Sequence, residues 1–159
     1  PDTGDSLYRR SMYTFIRRTS PHPAMIAFDA PDRSRCIVKR ENTNTPLQAL
    51  VLMNDPQFVE AARVLAERIQ TEGGNSFEDQ AAYAFRLLCS RKPTARELEL
   101  MKEQYRMALE KYQNDPSAAK GLLAVGESPV DENLDHTQTA ALTMVTNLVM
   151  NFDETYVKR

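Results

Sequence analysis

Two prolines, each preceded by a residue able to cap a helix, bracket one short apolar run in TNTPLQALVLMNDPQF, Thr43 to Phe58. Proline fits the first turn of a helix, where its missing N–H would have no partner, and Thr or Asp just before it can accept from the freed donors. The residue before a proline is also pushed out of helical conformation. Thr45-Pro46 therefore starts a helix that must stop before Asp55-Pro56, where a second one starts. The spacing predicts a short helix from Pro46 to Met53, apolar all round and hence buried, and a longer one from Pro56 to Thr71 that Gly73-Gly74 ends. Phe58, Ala62, Leu65 and Ile69 recur on one face of the longer helix.

The same punctuation continues down the chain. Ser76 with Asp79 caps a helix carrying Phe77, Ala81, Ala84 and Leu88 on one side. Thr94 and Glu97 form a capping-box pattern, opening a helix striped by Leu98, Met101, Tyr105, Ala108 and Tyr112. The short Arg91-Lys92-Pro93 link makes these two an antiparallel hairpin. Asn114-Asp115-Pro116 reuses the earlier start signal, a loop covers Gly126 to Asn133, and Asp135 caps the last helix. There Ala141, Val145, Leu148 and Phe152 share a face that Leu142 and Val149 widen, so this helix is expected at the centre.

These elements predict an all-α fold of about six helices around a central C-terminal helix. An irregular N-terminal segment is expected to pack on that body. At 159 residues the chain is expected to be one helical domain, with an irregular basic segment over 1–42 and a helical body over 43–159. That length buries roughly 70% of its unfolded surface without metals or disulfides. A chain that opens on Pro1 without Met reads as the C-terminal fragment of a larger protein. The longest apolar-rich stretch, AALTMVTNLVMNF, is too short and interrupted to span a bilayer.

Residues 5–42 resist a helical assignment, with one short strand expected at Cys36 to Lys39. The first 40 residues hold eight of the cations against Asp2, Asp5, Asp29 and Asp32, an excess of basic charge within a chain of net charge −2. One reading makes them a surface for nucleic acid or a sulfated glycan. The reading favoured by the sequence is packing, with no nucleic acid bound, because Tyr8, Tyr13, Phe15 and Ile16 need a core and would draw the stems of Arg17 and Arg18 down with them.

Candidate chemistry is sparse. His22, Asp29, Asp32 and Arg33 lie close in sequence, and Arg40, Asn42 and Asn44 offer charge and amides just before the Pro46 helix, where a sugar or carboxylate could sit. Against this, Asp29 and Asp32 read as turn residues bonding nearby backbone, and the polar run before Pro46 as satisfying its own main chain. No catalytic residue and no metal-ligand spacing is identified. There is no phosphate loop, no Gly-x-Ser-x-Gly and no His-Glu-x-x-His. Cys36 and Cys89 are unpaired in spacing, with no Cys-x-x-Cys-His haem motif.

FDAPDR, TNTPLQALVLMNDPQFVEAA, RKPTARELELM, NDPSAAKGLLAVGESPVDENLD and AALTMVTNLVMNFDETYVKR together resemble a planctomycete-specific domain of unknown function of the DUF1553 type. It is found at the C-terminus of large multidomain proteins that often carry a cytochrome c domain. The resemblance implies an exported, periplasmic or envelope-associated parent chain, with haem c in an upstream portion and no cofactor in this piece. It implies other domains of the parent chain as partners, and possible company with polysaccharide, but no assigned catalytic residues. Two functions follow as expectations: a non-catalytic helical module that supports or docks those domains, or a glycan-binding or glycan-processing site on the basic segment.

Overall fold

Helix after helix begins where a side chain accepts from a freed backbone donor. In the computed structural model, which describes residues 4–9, 11–17, 19–31, 34–39 and 43–157, Asp55 accepts from Gln57 N, Ser76 from Asp79 N, Asp115 from Ala118 N and Asp135 from Gln138 N. Thr94 and Glu97 close the full capping box. The helices are α1 (Pro23–Ala27), α2 (Pro46–Asn54), α3 (Pro56–Glu72), α4 (Phe77–Cys89), α5 (Ala95–Asn114), α6 (Pro116–Leu123), α7 (His136–Met150) and α8 (Asp153–Tyr156). Two 3₁₀ turns, Gly4–Tyr8 and Ser11–Tyr13, precede them. The fold is all-α, and no strand is formed among the described residues. The strand expected at Cys36 to Lys39 is absent: Cys36 and Ile37 have no regular structure and are flanked by bends, and a strand without a neighbouring strand has no ladder to hold it.

The chain divides into two compact units, Pro1–Gln48 and Ala49–Arg159, the boundary falling inside α2. In the second, α7 is central and packs against α3, α4, α5 and α6. One cluster joins Ala108 and Tyr112 of α5 to Ala119 and Leu123 of α6 and Ala140 and Ala141 of α7. Another joins Ala81 and Phe85 of α4 to Met101 of α5 and Val145 and Val149 of α7. Phe77 stacks on Tyr105 with ring centroids 4.9 Å apart, Lys102 reaches Glu78 at 2.6 Å, and Arg91 meets Glu97 beside the turn. These pairs run in opposite order along α4 and α5, which makes the hairpin antiparallel.

The seam between α3 and α7 is built of small residues. Ala62 and Ala66 are fully buried, as are Thr139, Thr143 and Thr146. Each threonine returns its hydroxyl to a carbonyl of its own helix, which satisfies the polar atom without a distant partner. Thr146 Oγ1 also donates across the seam to Ala62 O at 2.8 Å.

Two expectations about burial fail. The Pro46 helix sinks Gln48 and Leu52 but leaves Leu47, Leu50 and Met53 exposed, positions that share one side because they recur every three residues. In the N-terminal unit Tyr8, Met12, Tyr13 and Phe15 are exposed, Phe15 at 83%, and Arg17 with them. The core these aromatics were expected to need is not within their own unit, whose one buried side chain among the described residues is Gln48. Arg18 lies outside the described residues.

Candidate functional site

In the N-terminal unit, polar side chains gather around the turn that follows α1. Asp29 takes a left-handed backbone, φ 55°, which aspartate tolerates better than most residues. Its Oδ2 accepts from Thr43 N at 2.8 Å and from Thr43 Oγ1 at 2.7 Å. Thr43 Oγ1 in turn accepts from Gln48 Nε2 at 3.1 Å, and the same amide donates to Ala27 O at 2.8 Å. Gln48 Oε1 accepts from Thr45 N at 2.9 Å while Gln48 N donates to Thr45 Oγ1 at 3.4 Å, a capping box that uses glutamine in place of glutamate. The buried amide thus has both ends occupied. The network ties the α1 turn to the start of α2.

Of the candidates named from sequence, Asp29 enters this network. His22 is the exposed N-cap of α1 and makes no side-chain cap bond. Asn44 is exposed, one residue from Thr43 and Thr45. Asp32, Arg33, Arg40 and Asn42 lie outside the described residues. Thr43 and Gln48 were missed, although the Thr45-x-x-Gln48 spacing was a local signal for the second.

A second polar group, also missed, lies within the helical body. Glu60 and Arg63 on α3 are buried, Arg63 completely. Arg63 Nη1 donates to Glu67 Oε1 at 2.7 Å and to Pro129 O at 3.3 Å, and Nη2 to Ser128 O at 2.7 Å. Glu60 accepts from the backbone of the same loop, Ser128 N on Oε1 at 2.9 Å and Glu127 N on Oε2 at 3.1 Å. Gly126, at φ 98°, brings the chain so near that a Cβ there would lie 2.1 Å from Glu60 Oε2. A buried charge is tolerable when paired and hydrogen-bonded, and here one acid and one base grip the donors and acceptors of a single loop. Arg63 Nε is buried without a hydrogen-bond partner among the described residues. The arrangement holds chain in place.

A third group closes the α4–α5 turn. Arg91 binds both oxygens of Glu97, at 2.7 and 2.8 Å, and reaches Glu154 of α8 through Nε at 2.7 Å. Its guanidinium lies 5.1 Å from the Phe85 ring centroid. The Arg91 hydrogen bonds, with those from Thr94, hold the Glu97 carboxyl at about 2, and its carboxylates push Arg91 up.

Both cysteines are free, Cys36 exposed and Cys89 half-buried, with burial pushing the Cys89 thiol up. Among the described residues no cluster of three or more His, Cys, Asp or Glu side chains is placed to hold a metal ion, and no helix is long and apolar enough to cross a membrane. A family model described as PSD1, protein of unknown function (DUF1553), matches residues 1–105. Neither a curated protein nor a solved structure matches the chain.

Proposed function

The chain belongs to the PSD1 family of proteins of unknown function (DUF1553), and from that premise we propose that it is a non-catalytic helical module that supports or docks other domains of its parent protein. In this reading the parent is an exported, cytochrome c-bearing protein of planctomycete type, and its haem is carried outside these residues. The observation that carries the proposal is how the buried and half-buried polar side chains are used. Asp29 and Gln48 in one unit, and Glu60 and Arg63 in the other, direct their hydrogen bonds at segments of their own chain. A catalytic acid or base needs an atom within reach of substrate, whereas these atoms fix loops, as a scaffold requires.

The test is association in trans. The chain and the remainder of its parent polypeptide, expressed separately, should co-elute on gel filtration, and the complex should melt higher than the chain alone because a partner that binds only the folded form stabilises it. Independent elution with unchanged melting would refute the docking role. Hydrolysis of a polysaccharide by the isolated chain, lost on replacing Asp29 or His22, would favour the glycan-processing reading instead.

A further inference from the structure

The N-terminal unit is built inside out. Among its described residues eight large apolar side chains are exposed, and none is buried. Met12, Tyr13, Phe15, Ile37 and Val38 are among them, Tyr13 at 70% and Phe15 at 83%. Leu7, Ile16, Met25 and Phe28 are half-buried, and the one buried side chain among the unit's described residues is polar, the Gln48 amide that donates to half-buried Thr43. A unit of this size is marginal even with a core, and apolar surface on this scale marks an interaction site.

Charge supplies the sign of the partner. Arg9, Arg17, Arg35 and Lys39 are exposed between these apolar residues, and no ion pair among the described residues engages them. Asp29, the carboxylate described in the unit, is directed at Thr43. Exposed Tyr, Phe, Met and Arg are residues enriched at protein-binding surfaces, and over residues 1–48 eight cations stand against five carboxylates, a basic excess that an acidic partner complements. A site for nucleic acid or a sulfated glycan needs aromatics and cations, but has no use for the aliphatic Ile26, Ile37 and Val38. An interfacial lipid-binding element presents one amphipathic helix, whereas here the apolar residues are spread over 3₁₀ turns and bends, and α1 carries no cation.

We propose that the N-terminal unit is a docking surface for an acidic, apolar segment of polypeptide. The proposal rests on the docking reading above and specifies its partner's chemistry.

Fluorescence anisotropy with three labelled peptides tests it on the full chain. The first alternates Leu and Phe with Glu, the second has Lys for every Glu, and the third has Ser for every Leu and Phe. The first should bind, more weakly as salt rises, and the other two on the order of tenfold less tightly or worse. Tyr13→Ser with Phe15→Ser, and Arg9→Glu with Arg17→Glu, should each cost a similar factor while leaving the melting temperature unchanged, since all four side chains are exposed. Equal binding of the Ser peptide or of heparin fragments would overturn the proposal in favour of a polyanion site. Binding to phosphatidylglycerol vesicles that the first peptide does not displace would overturn it in favour of a lipid surface. Concentration-dependent self-association lost in the Tyr13/Phe15 variant would show that a second copy covers the surface, and would overturn it too. If trans association with the parent's remainder survives both double variants, the inference falls and the docking reading stands; if the first peptide binds but trans association fails, the docking reading falls and the surface chemistry stands.

Discussion

Replacing Gly126 by alanine measures how firmly the loop after α6 is held against α3. Gly126 sits at φ 98°, and an added Cβ would meet Glu60 Oε2 at 2.1 Å and the carboxyl carbon at 2.4 Å. Two costs combine. A side chain in that sparsely populated backbone region costs about 1–3 kcal/mol. The Glu60 carboxylate must also withdraw, and because it is buried and accepts from both Glu127 N and Ser128 N, losing those bonds adds about 1.5–3 kcal/mol. The expected loss is about 3–5 kcal/mol, or on the order of 10 °C in Tm for a chain of this length. Urea unfolding followed by circular dichroism should be run on wild type, Gly126→Ala, Glu60→Ala and the double variant. Removing the carboxylate removes the obstacle, so the double variant should lose less than the sum of the singles, by about 1 kcal/mol or more. A Gly126→Ala chain within about 0.5 kcal/mol of wild type, the range of ordinary surface substitutions, would refute the close approach, and strict additivity would refute Glu60 as the group that enforces it.

The Glu97 carboxyl is held at about 2, against an ordinary 4.5, so its contribution to stability is full above about 4.5 and is lost as pH falls towards 2; Glu97→Gln should lower the urea midpoint at pH 7 and bring the two curves together over that window, whereas a constant gap down to pH 2.5 would contradict the Arg91 pairing. Asp55→Ala removes the side chain that accepts from Gln57 N at 2.9 Å and should cost about 0.5–2 kcal/mol; an unchanged melting curve would mean that the α2–α3 corner is set by Pro56 alone. A disulfide reagent should modify exposed Cys36 fast and half-buried Cys89, whose thiol pKa is raised, slowly until the chain unfolds. Equal rates in single-cysteine variants would show that Cys89 is not sheltered.

Helix starts were legible in the sequence because a cap and its acceptor lie within three residues of each other. Asp55, Ser76, Thr94, Asp115 and Asp135 all act as their neighbours imply, and the centrality of α7 followed from the breadth of its apolar surface. What the sequence concealed depends on distance or direction. Arg63 and Ser128 are 65 residues apart, and nothing local in EAARVLAER says that its acid and base face inward. The exposure of Leu47, Leu50 and Met53 was misjudged for a related reason: an all-apolar helix has no polar side to announce which face is left to solvent. Of the candidate site, Asp29 proved to be a turn residue with a long-range partner, and Thr43 was invisible because a threonine in a polar run has no pattern to distinguish it.

The small-residue seam between α3 and α7 bears on the order in which the chain is made. The bond from Thr146 to Ala62 closes 84 residues, so at translation rates of about 5–20 residues per second α3 waits roughly 4–17 s for the helix that covers it. Throughout that wait the inward side of α3 is available to water and to other nascent chains. Its buried residues are Ala62 and Ala66, whose small apolar areas offer little to stick to, one large apolar side chain, Ile69, and Glu60 and Arg63, which stay hydrated until residues 126–129 emerge to receive them. Ionisable groups that the finished protein buries therefore serve the unfinished one as solubilising groups, and their desolvation is deferred until the loop that satisfies them has been synthesised.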